Sequence, residues 1–395
     1  MLLDPFGERH LVSRRHGDAR RADERAARHA HVVEADALEL GGITLPNRIV
    51  VSPMCQYCAD DGSMNDWHFV HLGHLAYGGA GLLMVEATHV TREGRITHGC
   101  SGLYNERNEV ALKKVLEHCR TVSKNPIGLQ LGHAGRKGSS QVPWEGRQQL
   151  GPQESPWQTV APSPIPFSDG WHVPRELTLQ EIESLARSFE TAATRAKRIG
   201  FDVLELHSAH GYLLHQFLSP LANRRTDAYG TDRMKLPLEV ARAVREAWPK
   251  ERALGARISG SDWMEGGLGP DDAVAYAREL ERAGFDYVCV SSGSIAGGAR
   301  IDVSPGYQVG FARKVRNSIS MKVRAVGMIA DPAQAESIVA GGKADMVAMA
   351  RAFLDNPRWV WHAAEHYGIK LDYPPQYARS RYDQWPGTRL ARPAA

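Results

Sequence analysis

Short apolar runs alternate with longer amphipathic segments along most of the chain. Eight runs rich in branched apolar residues occupy positions 48–53, 82–88, 126–132, 203–208, 254–259, 287–292, 322–327 and 346–351. Their nearly continuous hydrophobicity indicates strands that are buried on both faces, which is typical of a parallel sheet covered by helices. The pattern therefore predicts an α/β fold, and eight strand and helix units favour a single-domain (β/α)8 TIM barrel. A doubly wound open sheet is the alternative.

Three of the intervening segments carry recognisable helix boundaries. Their predicted starts are Thr178 with Glu181 in a capping box, Asp271, and Asp331 before Pro332. Their predicted ends are the glycines Gly200, Gly284 and Gly341. Polar caps and terminal glycines satisfy the backbone groups that a helix end leaves unpaired, so these segments are predicted to be the crossover helices of the barrel.

Two segments are too irregular for crossover helices. Residues 132–175 form a connection far longer than a crossover needs, and such loops are often lids or make contact with substrate. The tail after residue 373 is also irregular, yet it contains Tyr377, Tyr382 and Trp385. Disordered tails are usually poor in aromatic residues, so we expect this one to pack against folded protein.

The first part of the chain differs from the rest, because residues 9–31 are dense in Arg, His, Asp, Glu and Ala. We interpret residues 1–33 as a disordered extension and residues 34–395 as one domain. Asp18, Asp23 and Glu24 argue against a transit peptide, since such peptides are poor in acidic residues.

Composition excludes several classes of protein. A net charge of +3 with 24% charged residues is not the concentrated basic surface of a nucleic-acid binder. No apolar run approaches the ~18 residues of a membrane span. Five cysteines in a chain of 395 residues fit a reduced, cytoplasmic protein better than a disulfide scaffold.

Polar and reactive residues cluster where the predicted strands end, which is where TIM barrels carry their active sites. The cluster comprises Ser52, Pro53, Met54, Cys55, Gln56, Tyr57, Glu86, Ala87, Thr88, Gln130, His133, His207, His210, Tyr212, Arg257, Ser291, Ser292, Gly327 and Arg351. Gln130 and Arg257 offer hydrogen bonds to carbonyl-like acceptors and a positive charge, and a flavin ring requires both. The small residues Gly327 and Ala350 allow backbone N–H groups to approach a phosphate.

Each of these features also has a structural interpretation. Cys55 and Cys58 form a C-x-x-C pair of the kind found in redox and metal sites, but no second pair accompanies them. His207 and His210 have the spacing of metal ligands without an evident third ligand, and we expect no metal. Gln130 and Arg257 could each be an ordinary hydrogen-bonded buried residue, and Tyr212 could simply pack.

Several motifs resemble those of the Old Yellow Enzyme family. They are SPMCQY (52–57), MVEATHVTREGRI (84–96), IGLQLGHAGRKG (127–138), FDVLELHSAHGYLLHQFLSPLANRRTDAYGTDR (201–233), RISGSDW (257–263), VSSG (290–293), and VGMI with MARAFLDNP (326–357). The likeness extends over residues 34–385. Cys55 and Tyr57 resemble the class that includes YqjM and xenobiotic reductase A.

This resemblance implies an NADPH dehydrogenase or ene-reductase with FMN at the barrel mouth. NADPH or NADH would donate hydride, and an α,β-unsaturated carbonyl compound would accept it. The residues implied to hold FMN are Ser52, Pro53, Met54, Cys55, Ala87, Gln130, Arg257, Ser292, Gly327, Ala350 and Arg351. His207 and His210 would bind the substrate carbonyl, Tyr212 would supply the α-proton, Cys55 would tune the flavin potential, and Tyr57 would position the ligand.

The resemblance also concerns assembly. Arg379 lies in a Q-Y-A-R stretch similar to the tail that reaches a neighbouring subunit's site in this class, and Trp385 would line the pocket in the same way. We therefore expect a homo-oligomer, either a dimer or a tetramer. The N-terminal extension and Cys58 depart from the family pattern, and the resemblance assigns no role to either of them.

Two alternative functions remain at this point. Larger barrels of the same family, such as oxidative demethylases and dienoyl-CoA reductases, carry an iron–sulfur cysteine cluster after the barrel, but this chain has no cysteine after Cys289. A flavin-storing or regulatory protein without turnover is the other alternative. Tyr212 and the two histidines argue against it, because storage needs neither a proton donor nor a carbonyl-binding pair.

Overall fold

The computed structural model describes residues 32–33 and 37–391. Eight parallel strands close into a barrel, in the order in which they occur along the chain. These strands are β3 (Ile49–Val51), β4 (Leu82–His89), β5 (Ile127–Gly132), β8 (Val203–Ser208), β9 (Ala253–Ser259), β10 (Tyr287–Ser291), β11 (Lys322–Ala325) and β12 (Met346–Met349). The predicted TIM barrel is confirmed, and closure between β12 and β3 excludes the open-sheet alternative.

Helices surround the barrel. They are α1 (Asp66–Ala76), α2 (Glu106–Val122), α3 (Leu179–Ile199), α4 (Leu213–Leu218), α5 (Ala228–Thr231), α6 (Lys235–Ala247), α7 (Pro270–Arg282), α8 (Val309–Arg316), α9 (Pro332–Ala340), α10 (Arg351–Asp355), α11 (Trp359–His366) and α12 (Thr388–Ala391). Within the described part of the chain, no helix is both long and apolar enough to cross a bilayer.

The predicted helix boundaries are confirmed in two cases out of three. Thr178 and Glu181 form the capping box of α3, which ends at Gly200 with φ of 105°. Asp331 caps α9 ahead of Pro332. The predicted start at Asp271 is wrong, because the N-cap of α7 is Gly269 and Pro270 is the first helical residue. Glycine and proline here provide the cap geometry that the sequence analysis assigned to aspartate.

Three of the predicted strands are two residues too long at their carboxyl ends, and a fourth, β10, is one residue too long. β3, β11 and β12 end at Val51, Ala325 and Met349, whereas the predictions extend to 53, 327 and 351. In each case the backbone leaves the sheet before the two extra residues, which are Ser52 and Pro53, Val326 and Gly327, and Ala350 and Arg351. These extra residues form the turns of the barrel mouth.

A two-stranded hairpin packs against the residues that fill the barrel interior. It is formed by β1 (Leu38–Leu40) and β2 (Ile43–Leu45). Leu38, Leu40 and Leu45 are buried in one cluster with interior residues such as Val50 and Met84. A Cβ on Gly42 would lie 2.4 Å from the carbonyl oxygen of Glu251, just before β9. The hairpin therefore closes the end of the barrel opposite the predicted mouth.

The predicted extension lies almost entirely outside the described residues. Its last two residues, Val32 and Val33, are described, and both are buried in the main core cluster. The folded domain thus includes residues before position 34. The long connection at 132–175 contains three short 3₁₀ turns and a parallel pair formed by β6 (Val160–Ala161) and β7 (Arg175–Glu176).

Candidate functional site

A cavity of about 600 Å³ opens where the barrel strands end. Eight residues that the sequence analysis placed at the strand ends line it: Ser52, His210, Arg257, Ser291, Ser292, Gly327, Ala350 and Arg351. They come from six different strands or the turns that follow them, so only the closed barrel brings them together. Other predicted site residues do not line it, among them Cys55, Gln130, His207 and Tyr212. Sites for small molecules and cofactors commonly have volumes of about 300–1,000 Å³.

One end of this cavity is built from backbone and small side chains. Gly327 has φ of 109°, and a Cβ there would lie 2.5 Å from Nε2 of Gln308. Ala350 directly precedes α10, which begins at Arg351. Backbone N–H groups at a helix start and a nearby guanidinium can hold a phosphate. Gln308 was missed by the sequence analysis, and its Oε1 accepts hydrogen bonds from Ser292 Oγ at 2.7 Å and Ser291 Oγ at 3.1 Å.

Arg257 and Gln130 lie on neighbouring parts of the barrel wall. Arg257 is paired in register with His207 of β8, and its Nε is buried without a hydrogen-bond partner. Gln130 is buried, and its Nε2 donates to Glu205 Oε1 at 2.7 Å. The unpaired nitrogen of Arg257 indicates an acceptor supplied from outside the chain, because buried polar groups are normally hydrogen-bonded.

His210 lines the cavity, and the ring of His207 contacts it from outside the lining. His210 has φ of 60°, and this left-handed turn folds it back over β8. Nε2 of His207 lies 3.4 Å from Nδ1 of His210, and Nε2 of His210 lies 2.7 Å from Ser291 Oγ. Burial, and then the positive charge of Arg257, lower the pKa of both histidines well below the usual value. Both rings are therefore neutral at pH 7.

Tyr212 follows the histidines at the N-cap of α4. Its ring meets that of His207 nearly perpendicularly, at 89°, with centroids 4.8 Å apart. Burial raises the pKa of Tyr212 strongly, and the nearby Cys55 and Cys100 thiols raise it further. Tyr212 therefore keeps its phenolic proton and is a hydrogen-bond donor and potential acid.

Cys55 and Tyr57 join the same group of side chains. Together with Tyr212 they pack against a small buried cluster that includes Cys100. Burial, followed by Cys100 and Glu86, raises the pKa of Cys55 well above its usual value, although a hydrogen bond with the backbone of Ala87 opposes this. Cys55 is therefore a neutral thiol.

The turn after β3 also holds the remaining predicted residues of its motif. Pro53 and Met54 are half-buried, and Met54 packs against the main core. Tyr57 adopts a left-handed backbone with φ of 56°. Its ring contacts the edge of Trp144 at 6.1 Å between centroids. Trp144 belongs to the long 132–175 connection, so this loop does reach the site.

Lys137 is a second residue that the sequence analysis missed. Its Nζ donates to the carbonyl oxygens of His210 at 2.9 Å and Ser294 at 3.1 Å, and it lies 5.2 Å from the centre of the Tyr212 ring. Burial, and then Arg136 and Arg147, lower its pKa to about 7. The signal for Lys137 was its position within the quoted motif at 127–138.

Arg379 and Trp385 lie elsewhere in the single chain. Arg379 is exposed at the end of a 3₁₀ turn, Pro375–Ser380, and Trp385 is 42% exposed. Neither lines the cavity. The tail packs through Tyr377, whose ring stacks on Tyr77 with centroids 5.3 Å apart. The expected packing of the tail is confirmed, and its contribution to a site in a neighbouring subunit stays a prediction.

The structural interpretations can now be compared with the geometry. All five cysteines are free thiols, and Sγ of Cys58 lies 4.0 Å from Nε2 of His68. Among the residues with described positions, no group of three or more His, Cys, Asp and Glu side chains could hold a metal ion. His215 is fully buried in α4, with Nε2 2.9 Å from Asp262 Oδ1, as expected of a structural residue.

Comparison with protein families gives a match over most of the chain. Residues 36–369 match the model of the NADH:flavin oxidoreductase / NADH oxidase family. An NADPH dehydrogenase of Geobacillus thermodenitrificans is 42% identical over 347 residues, covering 86% of this chain and 95% of the relative. An NADPH dehydrogenase of Listeria monocytogenes is 39% identical, covering 87% of this chain and 97% of the relative.

Solved structures extend the comparison to the fold. Morphinone reductase in complex with tetrahydroNAD superposes with a TM-score of 0.70 at 28% identity, over 88% of this chain and 93% of that one. A 2-naphthoyl-CoA reductase gives a TM-score of 0.75 at 24% identity, over 85% of this chain and 52% of that one. At that identity the second match supports the barrel fold alone.

Proposed function

Because the chain belongs to the NADH:flavin oxidoreductase / NADH oxidase family and is an oxidoreductase, we propose that it uses FMN and NADPH or NADH to reduce activated C=C bonds of α,β-unsaturated carbonyl compounds. The observation that carries this proposal is the group of His207, His210 and Tyr212, in which His210 lines the 600 Å³ cavity and the other two rings contact one another and His210 through His207. It combines a carbonyl-binding pair with a proton donor. The names of the NADPH dehydrogenase relatives favour NADPH as the donor.

The residues around the cavity fit FMN. Arg257, with its buried unpartnered Nε, suits the pyrimidine edge, and Gln130 lies on the same wall. Gly327, Ala350 and Arg351 suit the phosphate. The other residues proposed to contact FMN are Ser52, Pro53, Met54, Cys55, Ala87 and Ser292. When bound, FMN would supply hydride transfer from the nicotinamide nucleotide to the β-carbon of the alkene.

The two histidines would bind the substrate carbonyl as neutral donors. The backbone N–H of Ala209 lies 3.3 Å from Nδ1 of His207, so the proton of this neutral ring belongs on Nε2. Ser291 donates to Gln308 in the unliganded chain, so Nε2 of His210 donates to Ser291 and Nδ1 of His210 accepts from His207. When a substrate carbonyl binds, rotation of the Ser291 hydroxyl from Gln308 to Nε2 of His210 would place the proton of His210 on Nδ1.

After this rotation, Nε2–H of His207 and Nδ1–H of His210, whose nitrogens lie 3.4 Å apart, would both be donors. A carbonyl oxygen placed beside both of them accepts both hydrogen bonds. Such fixed donors stabilise negative charge most strongly as the enolate oxygen develops, so they favour the transition state over the bound substrate.

Tyr212 would deliver the proton to the α-carbon. Its raised pKa keeps the O–H intact, and its contact with His207 sets it beside the bound carbonyl. The adjacent Lys137 ties the turn at His210 to Ser294 and so holds the donors in place. Tyr57 and Trp144, whose rings contact each other, would line the substrate side of the pocket.

Titration with a para-substituted phenol tests the role of the histidine pair. A phenolate bound at the carbonyl position should give a long-wavelength charge-transfer band with oxidised FMN. The H207A/H210A double variant should bind FMN and lose this band, whereas His366→Ala, an exposed histidine at the end of α11, should keep it. A band of unchanged intensity in the double variant would refute the assignment.

Arg379 and Trp385 would act in a second copy of the chain. Both are exposed and away from the cavity of their own chain, and the tail that carries them is anchored through Tyr377. This arrangement supports a homodimer or homotetramer in which each tail completes the site of a neighbour. Arg379 would then place a guanidinium beside the ligand oxygen.

A further inference from the structure

A buried polar layer crosses the barrel at the level of Gln130. Gln130 and Glu205 are register partners on β5 and β8, and Nε2 of Gln130 donates to Oε1 of Glu205 at 2.7 Å. Gln130 is 2% exposed and Glu205 is fully buried. His207 stands two residues beyond Glu205 on β8, so both side chains leave the same face of the strand. Glu205 therefore lies one layer deeper than the histidine pair.

The second carboxylate oxygen of Glu205 is held by two donors from the opposite wall. Tyr287 Oη donates to Oε2 at 2.9 Å, and Nη2 of Arg324 forms an ion pair with the same oxygen. Both donors are fully buried, and the Arg324 guanidinium lies 5.1 Å from the centre of the Tyr287 ring.

A glycine on β9 allows the Tyr287 side chain to reach Glu205. Gly255 lies between Glu205 and Tyr287 in the register of the sheet. A Cβ on Gly255 would lie 2.2 Å from Cε1 of Tyr287. The absence of a side chain on β9 lets the Tyr287 ring cross that strand to reach Glu205. Five strands, β5 and β8 to β11, thus contribute to one layer.

The charges of Glu205 and Arg324 follow from their contact with each other. An arginine in a protein is always charged, and a buried charge is stable only beside a counter-charge. Glu205 is the carboxylate that Arg324 contacts, so the pair is a carboxylate and a guanidinium. An ionised carboxylate accepts hydrogen bonds and donates none. The amide of Gln130 must therefore present its NH₂ group to Glu205, and its Oε1 is left as the acceptor for the barrel mouth.

We propose that Glu205, fixed by Arg324 and Tyr287, is a positioning residue that orients the Gln130 amide so that its oxygen accepts a hydrogen bond from N3–H of the flavin. This inference rests on FMN binding as proposed above. The flavin pyrimidine has one ring N–H along this edge, so an acceptor fixed in place would bind a flavin that carries this proton more tightly than a flavin that lacks it. A Gln130 amide free to rotate could present either its oxygen or its NH₂ group, and this difference in affinity would be lost.

Flavins with and without the N3 proton test this proposal. The wild-type protein should bind FMN at least roughly tenfold more tightly than N3-methyl-FMN, the scale expected for one hydrogen bond. The E205Q variant places an amide beside Gln130, so this Kd ratio should fall towards one because FMN binding weakens while N3-methyl-FMN binding changes little. Glu239→Gln, the same substitution in an ion pair with Lys235 on the outer helix α6, should keep the wild-type ratio.

E205Q leaves Arg324 without its counter-charge, so the variant is also prepared as E205Q/R324M, which removes both charges of the pair. A preserved Kd ratio in either soluble variant overturns the proposal. A wild-type ratio near one overturns it without any variant. Failure of the wild-type protein to bind FMN at all overturns the proposed function as well, which separates the two failures.

Discussion

The rings of Tyr212 and His207 are nearly perpendicular, at 89°, with centroids 4.8 Å apart. His207 is the penultimate residue of β8 and Tyr212 is the N-cap residue of α4, so the left-handed residues between them, His210 and Gly211, set the distance between proton donor and carbonyl donor. The proposed reaction has two half-reactions: NADPH reduces FMN, and the reduced FMN then reduces the alkene. Tyr212 donates its proton only in the second half-reaction.

The Y212F variant should therefore affect only that half. Reduction of bound FMN by NADPH should keep its wild-type rate, and reoxidation by 2-cyclohexenone should slow by about 10²-fold or more, the scale of a lost general acid. Anaerobic stopped-flow absorbance measures both rates. Equal slowing of both half-reactions would contradict a role for Tyr212 as the proton donor.

Cys55 should tune the flavin without being needed to hold it. Because burial raises the pKa of Cys55, the turn after β3 that we propose contacts FMN carries a neutral S–H group. The C55A variant should bind FMN and show a shifted reduction potential by spectroelectrochemistry. The matched variant Cys58→Ala removes the half-buried thiol near His68 and should leave the potential unchanged. An unshifted potential in C55A would remove Cys55 from this role.

Lys137 should make stability depend on pH. Its pKa is lowered in the folded protein from 10.5 to about 7, because burial and then Arg136 and Arg147 disfavour the charge. Between these two values the unfolded chain binds more protons than the folded one, so the free energy of unfolding should rise with pH across this window. Below about pH 7 the group is protonated in both states, and its contribution should be constant.

Urea unfolding of the wild type and K137M at several pH values measures this effect. The wild type should gain stability relative to K137M as pH rises from about 7, whereas Lys124→Met, which removes an exposed lysine, should follow the wild type. A difference between the wild type and K137M that does not vary with pH would show that Lys137 is not buried in the way described.

The fold could be predicted from the sequence because each barrel strand is buried on both faces and therefore forms a nearly continuous apolar run. Hydrophobicity does not mark where a strand ends, so four predicted strands were too long; in 322–327, for example, Val326 and Gly327 follow the last residue of the sheet, Ala325. The start of α7 was missed because Gly269 caps it through its backbone and carries no polar side chain. Propensity alone does not distinguish this from a cap by the nearby Asp271.

The sequence predicted site residues only where they lie near the carboxyl ends of strands. His207 and Arg257 lie within β8 and β9, and His210 and Gly327 follow their strands; all four were predicted because the barrel brings these strand ends together. Lys137 and Trp144 come from the long connection, whose path depends on tertiary contacts rather than on periodicity. Glu205 and Arg324 were read as part of continuous strands, and only the closed barrel brings the two side chains together.

The tail residues require a test across subunits. R379A should lower activity with an enone, and H207A/H210A should abolish it. If Arg379 acts in a neighbouring copy, co-expression of the two variants should produce mixed oligomers in which one site has both intact histidines and an intact Arg379. Activity above the sum of the separate variants is expected. Activity equal to that sum would place Arg379 outside the neighbouring site.

The central claim is that this barrel carries hydride from a nicotinamide nucleotide to an activated alkene through FMN. The most direct measurement is the absorbance of the purified protein under anaerobic conditions. The protein should be yellow, should be bleached by NADPH, and should regain its colour on addition of 2-cyclohexenone. A colourless protein that takes up no FMN, or one that is bleached by NADPH and stays so with the enone, would contradict the claim.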